Sequence, residues 1–301
     1  AQISVFVFND NNSINNVPDA TEPGLPGFQI VLADLAGGPI MQDVFGNPLG
    51  TTYATNALGD FLTDDNGDYV VDQMGSGDIY TGVDGKALIK FLAMGKYGVQ
   101  AIPPTGSHWA GAHGAAHVDG AWHQTATIEG TLTVDAWVTA NEPPIFMEGF
   151  GAGFYHAFFG FVDPLQTVWA TNPPPIEAGN VTVKGTNVFN HFGRPPSNQM
   201  FVAGAPVGDA WVGLNEMGAL NVPGRGLYAA PCRPDGSFEI TNVPPGTYQL
   251  VTWDVPLDAL FGFNTITVTS APSNINDLGN VLSYRWFGTL EGSVFYDANE
   301  N

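Results

Sequence analysis

Apolar and polar residues alternate along most of this chain in short runs, and each run ends at Gly, Pro, Asn or Asp. Alternation with a period of two puts one apolar face on an extended strand. Ile3-Ser4-Val5-Phe6-Val7-Phe8, Phe28-Gln29-Ile30-Val31-Leu32 and Lys96-Tyr97-Gly98-Val99-Gln100-Ala101-Ile102 read as strands. So do Val181-Thr182-Val183, Thr247-Tyr248-Gln249-Leu250-Val251 and Thr265-Ile266-Thr267-Val268. They are rich in β-branched and aromatic residues and bounded by turn formers. Gly, Pro or Asn interrupts almost every window long enough for three helical turns. Short strands without intervening helices predict an all-β protein made of antiparallel β-sandwiches in tandem.

Two stretches repeat each other. Asp84-Gly85-Lys86-Ala87-Leu88-Ile89 leads to Gly95-Lys96-Tyr97, and Asp235-Gly236-Ser237-Phe238-Glu239-Ile240 leads to Gly246-Thr247-Tyr248. The offset is 151 residues at the Asp, at both Gly and at the Tyr, without a gap. Asp-Gly turns the chain tightly into a strand, and the second Gly turns it into the next. A repeat of this kind means two copies of one β-module. Phe8-Asn9-Asp10-Asn11-Asn12 also matches Phe295-Tyr296-Asp297-Ala298-Asn299. The expected organisation is a module over 1–105, an intervening segment over 106–178, a second module over 179–285, and the first strand of a truncated third over 286–301.

The stretch from Asp235 to Trp253, DGSFEITNVPPGTYQLVTW, resembles the closing hairpin of carboxypeptidase-regulatory-like and Cna-B-type domains, which are transthyretin-like sandwiches. The stretch from Phe6 to Leu32 resembles the opening of SdrD-B-like domains of bacterial surface proteins, in which a calcium loop separates two strands. The resemblance implies tandem Ig-like or transthyretin-like modules that act as spacers, stalks or adhesins. It says little about chemistry, because such folds host many functions. Cna-B-type domains also form Lys–Asn bonds, and Lys184 is the lysine best placed for one, with no matching Asn identified.

Charge narrows the partners. The chain carries 29 Asp and Glu against 8 Lys and Arg, a formal net charge of −21, yet only 12% of its residues are charged. Bases are scarce rather than acids crowded. Such a surface does not track a phosphate backbone or an anionic membrane, so neither nucleic acid nor membrane insertion is expected. No apolar run is long enough for a spanning helix. Cations are the natural counterpart. With one cysteine, Cys232, there is no internal disulfide; a buried, inert thiol is expected, with an intermolecular disulfide as the alternative.

Calcium takes six to eight oxygen ligands, which clustered Asp, Asn and Glu supply. The first candidate loop offers Asp10, Asn12, Asp19 and Glu22, with one residue more than the resembled pattern. The second offers Asp64, Asn66, Asp68 and Asp72, without the closing Glu of an EF-hand. Asp297 and Asn299 begin a third. Ordinary Asx turns have the same composition and are the alternative.

His108, His113, His117 and His123 lie within sixteen residues among Gly and Ala. Imidazoles at this density are candidate ligands for copper, zinc or manganese, against a surface loop whose histidines bond to backbone. Phe146, Phe150, Phe154, Tyr155, Phe158, Phe159 and Phe161 form an aromatic segment that packs modules together or docks a partner. No nucleophile elbow, HExxH or phosphate loop occurs. The sequence therefore predicts a non-catalytic, extracellular structural or adhesive protein of calcium-stabilised modules, whose partners are neighbouring modules or copies of itself. The alternatives are a metal-binding accessory portion of a secreted metalloenzyme, through the histidines, and glycan binding through Trp109, Trp122, Trp137 and Trp169.

Overall fold

A computed structural model describes residues 1–104, 122–126, 132–147, 153–162, 179–193 and 199–285. The first half contains β1 (Ile3–Asn9), β2 (Gln29–Ala33), β3 (Thr52–Tyr53), β4 (Val71–Gln73), β5 (Ile79–Tyr80) and β6 (Lys86–Ile89). It continues with β7 (Gly95–Ile102), β8 (His123–Ala126), β9 (Thr133–Val138), β10 (Phe146–Met147), β11 (Gly153–Phe154) and β12 (Ala157–Val162). The second half contains β13 (Val181–Phe192), β14 (Phe201–Pro206), β15 (Ala210–Met217), β16 (Pro223–Pro231) and β17 (Ser237–Val243). It ends with β18 (Gly246–Asp254), β19 (Ala259–Leu260), β20 (Gly262–Val268) and β21 (Ile275–Arg285). A single 3-10 turn, Ala219–Asn221, is the one helical element among the described residues.

Each half is a sandwich of two sheets. In the first, β6-β1-β12-β8 faces β5-β2-β7-β9. Inward residues alternate as the pattern predicts: Ile3, Val5 and Val7 from β1 meet Ile30 and Leu32 from β2, and Tyr97, Val99 and Ala101 from β7. In the second, β13 carries β17 and β14 on one side and β21 on the other, with β19 beyond it. This sheet faces β16-β15-β18-β20, and Val181, Val183, Val212, Leu214, Phe238 and Leu250 fill the space between.

The two sandwiches share one topology. β1, β2, β5, β6, β7, β8, β9 and β12 correspond in chain order to β13, β15, β16, β17, β18, β19, β20 and β21. The repeat read from the sequence has equivalent hydrogen bonds in both copies. Val7 N–H donates to Gly85 O at 2.8 Å, and Asn187 N–H to Gly236 O at 2.8 Å. The Tyr97 hydroxyl donates to Ala93 O at 2.8 Å, and that of Tyr248 to Pro244 O at 2.9 Å.

Two features differ from expectation. The first sandwich does not close at residue 105, because β8, β9 and β12, all within 106–178, supply three of its eight sandwich strands. Pairing is also not wholly antiparallel: β1 runs parallel to β12, and β13 to β21. The first and last strands of each sandwich lie side by side, and everything between them serves as the long crossover a parallel pair needs. A polar contact fastens the first seam. Ser4 Oγ lies 2.9 Å from His156 Nδ1, next to the start of β12, and His156 Nε2 lies 3.5 Å from Glu142.

Gly85 and Gly236 occupy left-handed backbone at φ +75° and +77°. A Cβ on them would sit 2.3 Å from Val7 O and 2.4 Å from Asn187 O. The conformation alone costs an L-residue about 1–2 kcal/mol, and the collision with backbone adds to it. Gly85→Ala and Gly236→Ala are each expected to lower stability by more than about 2 kcal/mol in urea denaturation. An unchanged midpoint would show that the two turns do not govern the sandwiches.

Candidate functional site

The loop that joins β1 to β2 holds the first set of expected ligands. Asp10 leaves β1 with its N–H bonded to Phe161 O at 3.0 Å. Its carboxylate is fully buried and accepts the N–H groups of Asn15 and Asn16, each at 3.0 Å. Glu22 reaches back across the loop: its Oε1 accepts Asn11 N–H at 2.8 Å and Asn12 N–H at 2.9 Å, and its Oε2 accepts Asp19 N–H at 2.9 Å. Asp19 accepts the Asn15 side-chain amide at 2.8 Å, and Asn12 donates to the Thr21 hydroxyl at 2.6 Å. All four residues predicted for this loop are therefore gathered in it.

The electrostatics are unusual. Burial, then the negative charge of Asp19, pushes the Asp10 carboxyl up to about 7 despite its hydrogen bonds. Burial, then Asp10 and Asp19, pushes Glu22 up to about 8. No Lys or Arg occurs in residues 1–85 to offset them. Uncompensated buried carboxylates take up a proton or a cation. The donor set is all oxygen, which suits a hard cation such as calcium rather than a soft one. The carboxylate oxygens are aimed at separate backbone amides, and among the described residues no three His, Cys, Asp or Glu side chains converge on one point.

The same loop joins the two sandwiches. Ile14, fully buried, enters a cluster with Val162 of β12 and with Trp211, Val251 and Trp253 of the second sandwich. Asn215 of β15 holds it in place: its Oδ1 accepts Ile14 N–H at 3.2 Å, and its Nδ2 donates to Ile14 O at 2.9 Å. Gly226 N–H donates to Asn11 O at 3.1 Å. Trp211, Asn215, Val251 and Trp253 alternate with the residues of β15 and β18 that face the sandwich core, so this sheet is covered on both faces.

The remaining predicted positions fall elsewhere. Asp64 Oδ1 accepts Asn66 N–H at 2.8 Å and Asp68 N–H at 3.0 Å, which closes a turn, and these bonds hold its pKa below the usual carboxylate value. Asp72 lies on β4, with its Oδ2 3.4 Å from the Thr52 hydroxyl. His123 is buried in β8 with its ring 5.0 Å from that of Trp211, so it belongs to the joint between the sandwiches. His108, His113, His117, Asp297, Asn299, Phe150, Trp109 and Trp169 lie outside the described residues. Cys232 is buried, and burial pushes its thiol up to about 12, which leaves it protonated at neutral pH. Lys184 meets Asp277 across β13 and β21 at 3.3 Å, with both side chains in solvent. Trp137 is 70% exposed, with Lys96 over its ring. Ser4, His156 and Glu142 have the residue types of a hydrolytic triad, but Ser4 is only 3% exposed within a sheet, where it acts as a seam.

One regularity escaped the sequence reading. Phe45, Tyr53, Phe61 and Tyr69 recur every eight residues, and their rings pack together and against Phe91, with centroids 4.9 to 6.4 Å apart for the contacting pairs. Phe45 sits within a turn headed by Asp43, and turns headed by Asn56 and Asp64 separate Tyr53, Phe61 and Tyr69; in each turn one side-chain oxygen accepts two backbone N–H groups. Leu62 N–H donates to Ala54 O, Val70 N–H to Leu62 O and Ala54 N–H to Val70 O, all at 2.9 Å, which closes two hairpins into a ring through the pairing of β3 with β4. The period of eight in aromatic positions is the signal that would have revealed it.

No protein-family model matches the chain, and no curated protein matches it. Among solved structures, a streptococcal ancillary pilin is similar at 12% identity and a TM-score of 0.25, over 94% of this chain and 62% of that one. The chain thus spans about three-fifths of that pilin's length. The minor pilin GBS52 of Streptococcus agalactiae is 11% identical over 97% of this chain and 99% of that one, with a TM-score of 0.26. The shaft pilin SpaA of Lactobacillus rhamnosus GG is 10% identical over 97% and 100%, with a TM-score of 0.24. Superposition this loose carries no function across; the sandwich architecture rests on the sheets themselves.

Ile14→Ala empties a site shared by both sandwiches and should cost about 2–5 kcal/mol, with a red shift of tryptophan emission as Trp211 and Trp253 gain water. An unshifted spectrum and unchanged stability would refute the joint. The raised carboxyls set a pH dependence as well. Burial at the end of β18 also pushes the Asp254 carboxyl up to about 6, so above about pH 4 the folded state keeps protons on Asp254 up to about 6, on Asp10 up to about 7 and on Glu22 up to about 8 that the unfolded chain has released. Stability is therefore full below the unfolded carboxyl pKa and is lost as pH rises through the folded ones. In chelator, the unfolding midpoint should fall from pH 5 to pH 8, and Asp10→Asn should flatten that slope; a midpoint that rises over this range would contradict the burial of these groups.

Proposed function

We propose that the chain is a non-catalytic, extracellular structural segment in which two copies of one β-sandwich are held in a fixed relation, and that calcium at the Asp10–Glu22 loop sets the stiffness of the joint. One observation carries this reading. The loop that gathers Asp10, Asn12, Asp19 and Glu22 is the loop that inserts Ile14 into the second sandwich. A cation there would relieve the buried negative charge and fasten the insertion at once. To hold it, Asp10, Asp19 and Glu22 would turn their carboxylate oxygens from the separate amides they now accept toward one point, and Asn12 would add its side-chain oxygen; the ion would supply only charge and coordination. Tandem sandwiches joined by a packed contact suit a stalk or scaffold that bears load between neighbouring modules or copies.

The test is thermal unfolding at pH 7.5 with calcium or with chelator. Calcium at 100 times its dissociation constant should stabilise by about 2.7 kcal/mol, a rise of a few degrees. Glu22→Gln should abolish the rise while leaving the chelator midpoint no lower than that of the parent. Equal midpoints with and without calcium would remove calcium from the reading and leave the protonated loop as the joint.

A further inference from the structure

We propose that the hairpin ring between β2 and β5 is a docking surface for a basic polypeptide segment, that is, a partner strand bearing several Lys or Arg residues. This inference does not depend on calcium at the Asp10 loop. From Asp34 to Asp78 the chain carries eight Asp and no Lys or Arg. The ring nevertheless exposes apolar surface: Phe45, Phe61, Leu62, Tyr69 and Val70 are each 38–46% exposed. Exposed apolar side chains set among charges of a single sign are the composition of an interface, and charge complementarity selects a cationic occupant.

The ring geometry narrows the occupant further. The aromatic rings pack edge to face, at interplanar angles of 85° for Phe45 and Tyr69, and 86° for Tyr53 and Phe91. Their faces are spent on one another, which leaves little for a sugar ring to stack on. Edges and aliphatic groups instead receive the methylene stems of Lys and Arg, whose head groups reach past them. Asp60 and Asp68 stand in equivalent positions on neighbouring hairpins, each just after the turn glycine and just before an aromatic residue. Both are exposed, so their charge is available to a partner. The two hairpins thus present a pair of carboxylates, eight residues apart, beside Leu62 and Val70.

The probe is octalysine, titrated onto the full chain by calorimetry at low salt, with a Gly-Ser octapeptide and chitohexaose as comparators. Octalysine should bind, weaken as sodium chloride rises, and outcompete both comparators. Asp60→Asn with Asp68→Asn should weaken binding by about fivefold to tenfold, the worth of two exposed ion pairs. Leu62→Ser with Val70→Ser should weaken it while leaving net charge unchanged. The control, Glu239→Gln with Asp258→Asn, removes the same charge from the second sandwich and should have little effect. Thermal melts confirm that each variant is folded, and a variant that fails to fold is replaced by Asp65→Asn with Asp72→Asn. Equal weakening by the control would reduce the effect to net charge and overturn the proposal. So would tighter binding of chitohexaose, insensitivity to the Leu62 and Val70 changes, or displacement of octalysine by calcium but not by sodium at equal ionic strength. The last result would assign the carboxylates to an ion.

Discussion

Asn215 grips Ile14 by both of its backbone groups, and the relation between the two halves of the molecule depends on that contact. A buried amide with both its donor and acceptor engaged specifies position in a way that apolar packing does not. Ile14 then brings its own loop with it. The turn from Asp10 to Asn16 is wound tightly enough to place Ile14 at the second sandwich only because the Asp10 carboxylate collects the Asn15 and Asn16 amides. The acid that is costly to bury is therefore the one that shapes the joint. If the loop opened, the second sandwich would lose the cover over Trp211 and Trp253, so local electrostatics and long-range packing are one system.

Much of the fold was legible in the residues. Alternation located the main strands, and the gapless offset of 151 between Asp84 and Asp235 located two equivalent turns with matching bonds in space. What stayed hidden was pairing. β1 and β12 are some 150 residues apart and touch because each sandwich closes on itself, a property of the assembled sheets that no local pattern encodes. β8 is only His-Gln-Thr-Ala, without an apolar alternation to announce it, and it becomes a strand because β12 offers an edge. The boundary expected at residue 105 fails for the same reason: a Gly, Ala and His-rich stretch resembles the end of a module, whereas the chain returns to the same sandwich afterwards.

The candidate ligands show where composition stops informing. Asp10 and Asp64 head similar clusters of Asp, Asn and Gly, and both accept two backbone N–H bonds at about the same lengths. By hydrogen bonding alone both carboxyls should be acidic. Asp64 is, because water still reaches it. Asp10 is not, because burial outweighs the same bonds and a neighbouring acid adds to it. Desolvation is thus the larger effect here: Asp10 is fully buried, with Thr125 of β8 beside it, whereas Asp64 stands in solvent. Spacing of oxygens can nominate both loops as cation sites, but only the tertiary contact makes one of them need a counter-charge. A turn motif on an exposed hairpin is complete in itself, whereas the same motif buried against its own sandwich acquires an electrostatic demand that a proton or an ion must meet.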